Sequence, residues 1–333
     1  MTESNDGIVL VYPSISNKEM PERFNVSKTS ETYDITYTWF YDEQAYSHRA
    51  EIPQELVGYY KNRSHVRQDY AQYAVSEYDR EVIRKLADSF GAHGRQNKYS
   101  DTEIALNVIS FVHTIPYTYD SETTGFAEYP RYPVETLVEG GDCEDRAVLA
   151  AAVFYELDID CVLILMKDHM ALGLKDDGNL SGQSYSHNGT VYYYAGVTDG
   201  ETVVGIISEK IDPTLLEIFP IIQKPVLSAK TSQFMNGSMD GSYKYTLQAV
   251  IENTGAGHGK NISLRAVTEL KDASGTYVPD QLIPLGMIQE DSSIDIEADI
   301  KAPKENGVIT YYIEGENMDP IKAGGFYFNF KDR

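Results

Sequence analysis

A thiol and an imidazole are the side chains in this sequence best suited to covalent chemistry. The chain holds two cysteines, Cys143 and Cys161, and Cys143 sits in GGDCEDRAVLAAAV, directly ahead of an alanine-rich run. The thiolate is the form that attacks, and the partial positive charge at a helix N-terminus favours it. Gly140 and Gly141 allow a sharp turn and a close backbone approach. Asp142 is a good N-cap, and Asp145, three residues on, can return a hydrogen bond to it. The first amides of that helix would face whatever Cys143 attacks, as donors to an oxyanion. Charge works in the opposite direction, because Asp142, Glu144 and Asp145 are all anionic and push a thiol pKa up. A base is therefore required. His169 opens an apolar run after the two-residue link Lys167-Asp168, where a side chain can project from a sheet edge toward a helix N-terminus. Spacing alone also permits a plainer reading, with Cys143 a small buried residue and His169 a histidine of a surface turn.

The elements that must position these groups can be read from periodicity. Residues 31–52 alternate aromatic or β-branched with polar residues, as in a half-buried hairpin. ELVGYYKNR then reads as a short helix. EYDREVIRKLADSF (77–90) places Val82, Ile83, Leu86 and Phe90 on one helical face, with Gly91 as its stop. Ser100 and Glu103 form a capping-box signature ahead of Ile104, Val108, Phe111 and Val112, and Pro116 closes that helix. YPRYPVETLVEGG is expected to be an extended approach to a buried helix from Cys143 to about Leu157. CVLILM and HMALGL read as an antiparallel pair, and VYYYAGV and TVVGIIS as further strands. Helices followed by a meander of strands give an α+β layout. After the junction KIDPTLLEIFPIIQKP the texture changes to alternating strands such as SIDIEADI and VITYYIEG, separated by the turns NTGAG, DASG and KENG, which suggests an antiparallel sandwich. The expected organisation is an N-terminal arm (1–30), an α+β domain (31–220) and an all-β sandwich (221–333).

Composition narrows the partners. Lys and Arg number 28 against 51 Asp and Glu, and the resulting net charge of −23 repels nucleic-acid phosphates and anionic membranes. No apolar run approaches the ~20 residues of a membrane span, and no membrane insertion is expected. The seven histidines are scattered with no HExxH, so neither a metal nor any other cofactor is expected. Two cysteines exclude a disulfide framework, and Cys161, at the head of an apolar strand, reads as an inert core thiol. N-x-S/T sequons at Asn25, Asn62, Asn179, Asn188, Asn236 and Asn261 point to an extracellular or cell-surface location if a leader or anchor lies ahead of the given start. Without one, the expectation is cytoplasmic.

The segments FVHTIPYTYDSETTG, EYPRYPVETLVEGGDCEDRAVLAAAV and DHMALGL resemble the transglutaminase-like superfamily, in its archaeal and bacterial cysteine-proteinase-like branch, over about residues 31–220. The resemblance implies a papain-like α+β core, with the cysteine helix packed on an antiparallel sheet, Cys143 as nucleophile and His169 as general base. The region from 221 onward resembles the immunoglobulin-like modules of archaeal surface proteins. Family members carry an acidic residue on the strand after the histidine, where this chain has Gly196 in YYYAGVT. Asp199 is the expected substitute and Thr198 a weaker one, although TDGE also reads as a simple β-turn. Relatives have Gln where FVHTIPY has His113, so His113, together with Asp142, is a candidate for holding the substrate or its oxyanion; a histidine at an exposed helix end fits equally.

Two functions follow. One is a cysteine-dependent peptidase, amidase or acyltransferase, working on a peptide or protein through a thioester on Cys143. The other is a catalytically impaired module of the cell envelope that binds a surface protein or glycan, the loss of the acid at Gly196 being its evidence. Calcium-dependent adhesion through the acidic sandwich is a third reading.

Overall fold

The computed structural model describes residues 4–5, 8–16, 26–63, 65, 69–175, 178–198, 204–239, 241–271, 278–290 and 292–329. The chain divides into one unit of residues 24–222 and another of residues 1–23 with 223–333. Residues 1–30, expected as an arm, hold β1 (Ser4–Asn5), β2 (Ile8–Leu10) and β3 (Ser14–Ser16), and residues 1–23 belong to the second unit.

The 24–222 unit opens with a hairpin of β4 (Thr32–Tyr41) and β5 (Gln44–Pro53). Asp42 and Glu43 both take positive φ (48° and 59°), the two-residue turn whose twist matches the strands it joins. The alternation expected from sequence turns Trp39 inward at 1% exposure, and Asn107 Oδ1 accepts its indole N–H at 2.7 Å. Then come α1 (Gln54–Lys61), α2 (Ala71–Ala74) and α3 (Arg80–Asn97). Gly91 does not stop α3, because its buried stripe of Val82, Ile83, Leu86, Ala87 and Phe90 continues to Gly94. A Cβ on Gly94 would lie 2.6 Å from Ile104 Cδ1, so this glycine sets helix packing. The stop is Lys98, in the left-handed conformation at φ 61°. α4 (Asp101–Val112) starts on the expected capping box, with Ser100 N–H donating to Glu103 Oε2 at 2.7 Å and Glu103 N–H to Ser100 Oγ at 3.3 Å.

α5 (Asp120–Thr123) and α6 (Pro133–Glu139) precede the cysteine helix, α7 (Cys143–Glu156). The approach to Cys143 is thus partly helical rather than extended. Proline at N1 has the φ a helix needs and lacks an amide that would have no partner there, and Tyr132 N–H donates to Glu135 Oε2 at 3.0 Å. α7 is buried on all sides, with Ala147 to Phe154 between 0 and 2% exposed, as befits a helix apolar around its whole circumference. It packs against β6 (Cys161–Met166) and β7 (His169–Lys175), whose register pairs Met166 with His169 across the two-residue link. β8 (Ser184–His187), β9 (Thr190–Ala195) and β10 (Leu215–Pro220) complete an antiparallel sheet of order β10-β6-β7-β9-β8. The expected junction therefore supplies an edge strand. TVVGIIS is not a strand over its described part, 204–208, where Gly205 turns at φ 82° and a Cβ would fall 1.8 Å from Ser181 O.

The second unit is a β-sandwich: β11 (Leu227–Met239), β12 (Ser242–Asn253), β13 (Gly259–Leu270), β14 (Asp280–Ile288), β15 (Ser292–Pro303), β16 (Gly307–Gly315) and β17 (Met318–Phe328). One sheet runs β1-β2-β14-β13-β16-β17 and the other β11-β12-β15-β3, with Leu247, Ile251, Leu264, Ile283, Ile300 and Tyr311 in the core. The DASG turn lies outside the described residues. The structure is therefore mixed α and β, with several antiparallel sheets. Among the described residues no helix is long and apolar enough to cross a membrane.

Candidate active site

Cys143 is the first residue of α7, and the backbone before it is bent by Gly140 at φ 80°. That glycine has no room for a side chain, since a Cβ would fall 2.5 Å from Pro116 O. The 115–118 segment clamps the turn: Gly141 N–H donates to Pro116 O at 3.1 Å and Thr118 N–H to Gly141 O at 3.3 Å. Arg146, one turn into α7 and 5% exposed, donates to the carbonyls of Ile115 and Val197 and lies over the Tyr117 ring at 4.9 Å. The nucleophile's turn is thereby tied to the end of α4 and to the residues after β9.

The capping reading holds in one direction, with Asp142 N–H donating to Asp145 Oδ2 at 3.3 Å. The same carboxylate is half of a buried ion network. Arg131, with no exposed surface, donates through Nη1 to Asp145 Oδ2 and Asp120 Oδ1 at 2.6 Å each, and through Nη2 to Thr123 Oγ1 at 2.6 Å; its own N–H reaches Asp145 Oδ1 at 2.6 Å. One guanidinium thus joins α5, the 129–132 segment and the first turn of α7. Beside this segment His65 stacks on Tyr129 at 3.7 Å, its ring nitrogens 2.7 Å from Pro130 O and 3.0 Å from Tyr60 O.

The thiol is not preformed as a thiolate. Burial first, and then the charge of Glu144, push Cys143 well above the ordinary thiol range, and Cys143 Sγ donates to Glu144 Oε2 at 3.1 Å. The opposing contribution is a hydrogen bond to the sulfur from the backbone N–H of Met170. His169 precedes that amide by one residue, so the opening of β7 lies against the sulfur. The ring of His169 is half-buried, with Nε2 shielded from water.

The remaining expected site residues fall around this centre unevenly. Extending the ladder that pairs Leu172 with Ala195 would set Thr198 opposite His169 and Gly196 opposite Ala171. A Cβ on Gly196 would sit 3.1 Å from Tyr194 Oη, a close contact that a shift of the phenol by a few tenths of an ångström relieves. Asp199 lies outside the described residues. His113 caps the C-terminus of α4, its N–H bonded to Ile109 O at 3.0 Å, two residues before the carbonyl that Arg146 holds. Cys161 is a buried thiol of the helix-facing core, at 4% exposure.

Acidic oxygens gather at the mouth of the turn. Ligand atoms of Asp142, Cys143 and Glu144 lie within 4.8 Å of one another, as do those of Asp120, Glu128 and Glu144. These are the residues that could approach a cation. Asp120 already spends one oxygen on Arg131 and the other on Tyr129 N–H at 2.5 Å, and the Cys143 thiol engages Glu144, so we assign no metal. Burial raises Asp142 to about 8 and Asp145 to about 7, with Arg131 pulling Asp145 back, and in α6 burial raises Glu135 to about 7.

These shifts fix the sign of a pH dependence. Carboxyls whose folded pKa is raised bind more protons folded than unfolded between about 4 and 8, so stability falls as pH rises through that window. The melting temperature of the 24–222 unit is expected to decline from pH 5 to pH 8.5 in a calorimetric series. Glu135→Gln should flatten the slope near pH 7; an unchanged slope would place the titration elsewhere.

Glu144, Arg131, Arg146 and Tyr117 did not stand out in the sequence as site residues. The one available signal was a lone arginine in YPRYP, between Glu128 and Glu135, where an unpaired burial would be costly.

No family model matches the chain, and no curated protein is detectably similar to it. Among solved structures, one assigned as the ApaA protein of Bordetella pertussis is 14% identical, the match covering 33% of this chain and 97% of that one, at a TM-score of 0.24. A structural-genomics target, SoR45, is 15% identical, covering 32% of this chain and 86% of its own, at a TM-score of 0.21. Likenesses at these scores carry no weight for fold or chemistry, and the site rests on its own geometry.

Proposed function

We propose that the 24–222 unit is a cysteine-dependent peptidase, amidase or acyltransferase with a transglutaminase-like, papain-type core. The observation that carries this reading is the packing of the buried α7, which begins at Cys143, against β7, which begins at His169. Cys143 attacks the carbonyl carbon of a peptide or protein amide while His169 accepts the thiol proton. The amides of the first turn of α7 face the developing oxyanion. His169 then protonates the departing amine, and water or a second amine resolves the thioester. The sequons support an extracellular or cell-surface setting; Asn188, in the turn between β8 and β9, and Asn261, at the irregular start of β13, take positive φ.

A second reading is favoured by Gly196, which stands where the resemblance implies an acid. On that view the unit is an impaired relative that binds a surface protein or glycan.

Covalent capture separates the two. A peptide with an electrophilic ester is expected to leave one acyl group on Cys143, located by mass spectrometry of the digested protein. Cys143→Ala should remain unlabelled while melting normally. Labelling at neither cysteine, or at Cys161, would rule out the enzymatic reading.

A further inference from the structure

The nucleophile's hydrogen-bond donor group is turned toward a carboxylate on its own helix. We propose that Glu144 is a positioning residue that restrains Cys143: its carboxylate holds the thiol proton until the charge of the Asp142–Glu144 pair is neutralised. This rests on Cys143 being the reacting group and adds a regulatory element to that site.

Three observations support it. Cys143 Sγ lies 3.1 Å from Glu144 Oε2, a distance at which the S–H proton bonds the carboxylate and is withheld from an incoming base. Glu144 is 7% exposed, so water does little to dilute its charge. The cations nearby are committed elsewhere: Arg146 to Ile115 O, Val197 O and the Tyr117 ring, and Arg131 to Asp120, Asp145 and Thr123.

The phenols and carboxyls around the sulfur do not neutralise the pair. Tyr117 and Tyr70 are neutral phenols held above their ordinary range, mainly by burial, and both feel the charge of Cys143 and Glu144. From β7 come the Met170 N–H and the neighbouring His169. Glu128, itself raised by burial, and Asp120 add negative charge on the far side of Glu144. The carboxyls of Asp142 and Glu144 lie beside each other and are both raised, mainly by burial, so a proton taken up by either one weakens the hold on the thiol. A positively charged group on a substrate would act in the same sense. The restraint therefore keeps the site quiet until it is occupied or acidified.

The test is the rate of Cys143 alkylation by iodoacetamide in the full-length protein from pH 6 to 9.5, read by mass spectrometry against Cys161. Wild type is expected to react more slowly than a free thiol at pH 7.5. Glu144→Gln should react at least ~10-fold faster there, its profile displaced about one unit to lower pH. Glu144→Asp, which keeps the charge, should stay slow. Asp142→Asn, expected to fall between, replaces Glu144→Gln if that variant does not melt cooperatively. A Gln profile superimposed on wild type would overturn the proposal, as would equal acceleration by Asp, which would mark loosened packing as the cause. Peptide-ester capture keeps the two ideas separate: capture without a Glu144 effect sinks the restraint alone, and a Glu144 effect without capture sinks the enzymatic reading alone.

Discussion

Replacing His169 with asparagine is expected to lower the rate of Cys143 acylation by a peptide ester about 10²–10⁴-fold while leaving the melting temperature nearly unchanged. The size of the effect follows from the starting state of the thiol. Burial and Glu144 hold Cys143 protonated, so the helix dipole alone cannot supply a thiolate at neutral pH. A base must take the proton as the sulfur attacks, and asparagine fills similar space without being one. Strand alternation makes the experiment discriminating. Met170 and Leu172 belong to the helix-facing core and Ala171 to the cluster on the other side of the sheet, so His169 must act around the end of β7, where the hairpin begins. An acylation rate in the asparagine variant within about threefold of wild type would mean that the ring faces away from the sulfur and another group accepts the proton.

Arg131→Met should destabilise the 24–222 unit by about 3–5 kcal/mol, the usual consequence of removing one partner from a buried ion pair. For a unit of this size that corresponds to a fall in melting temperature of roughly 6–20 °C. The loss comes from what remains: Asp120 at 3% exposure and Asp145 at 0% would be left facing each other without a counter-charge. Protonation relieves part of this, so the deficit should be smaller at pH 5 than at pH 8. Combining Arg131→Met with Asp145→Asn should recover part of the loss. Arg131→Lys should not restore the wild-type value, because one ammonium cannot span Asp120, Asp145 and Thr123 as the guanidinium fork does. A melting temperature within about 2 °C of wild type in the methionine variant would show that the network contributes little net stability.

The legible parts of this fold were those in which one local pattern decides one local structure. The alternation of residues 31–52, the Ser100–Glu103 box and the Lys167-Asp168 link each act over a few residues, and each appears in the structure as expected. The alanine-rich helix was legible because no other element buries so many small residues in succession. Misreadings arose where tertiary packing overrode a local signal. Gly91 reads as a stop, yet α3 continues because Gly94 is needed against Ile104. KIDPTLLEIFPIIQKP reads as a junction, and the division between the units does fall within it, at Ile222; what its weak alternation concealed is an edge strand, which needs one favourable neighbour and finds it in β6. The cysteine and histidine could be named from residue type and context. Glu144 and Arg131 could not be given their roles, because those depend on a side-chain direction and on three residues from different segments meeting at one guanidinium. Asp199, expected to replace the missing acid, falls outside the described residues and stays a sequence expectation.

The burial of α7 on all sides has a further implication for how such a site can change. A helix with its whole girth embedded cannot slide or swivel without disturbing every wall around it, so the sulfur at its tip is a fixed reference point. On the proposed function, variation in what is accepted enters through the rim around the sulfur: the stretch from Ile115 to Tyr132, with its exposed Tyr119 and Phe126, and Gly196 to Thr198 after β9. Exchanging those rims between relatives would alter substrate choice while the anchor stays still.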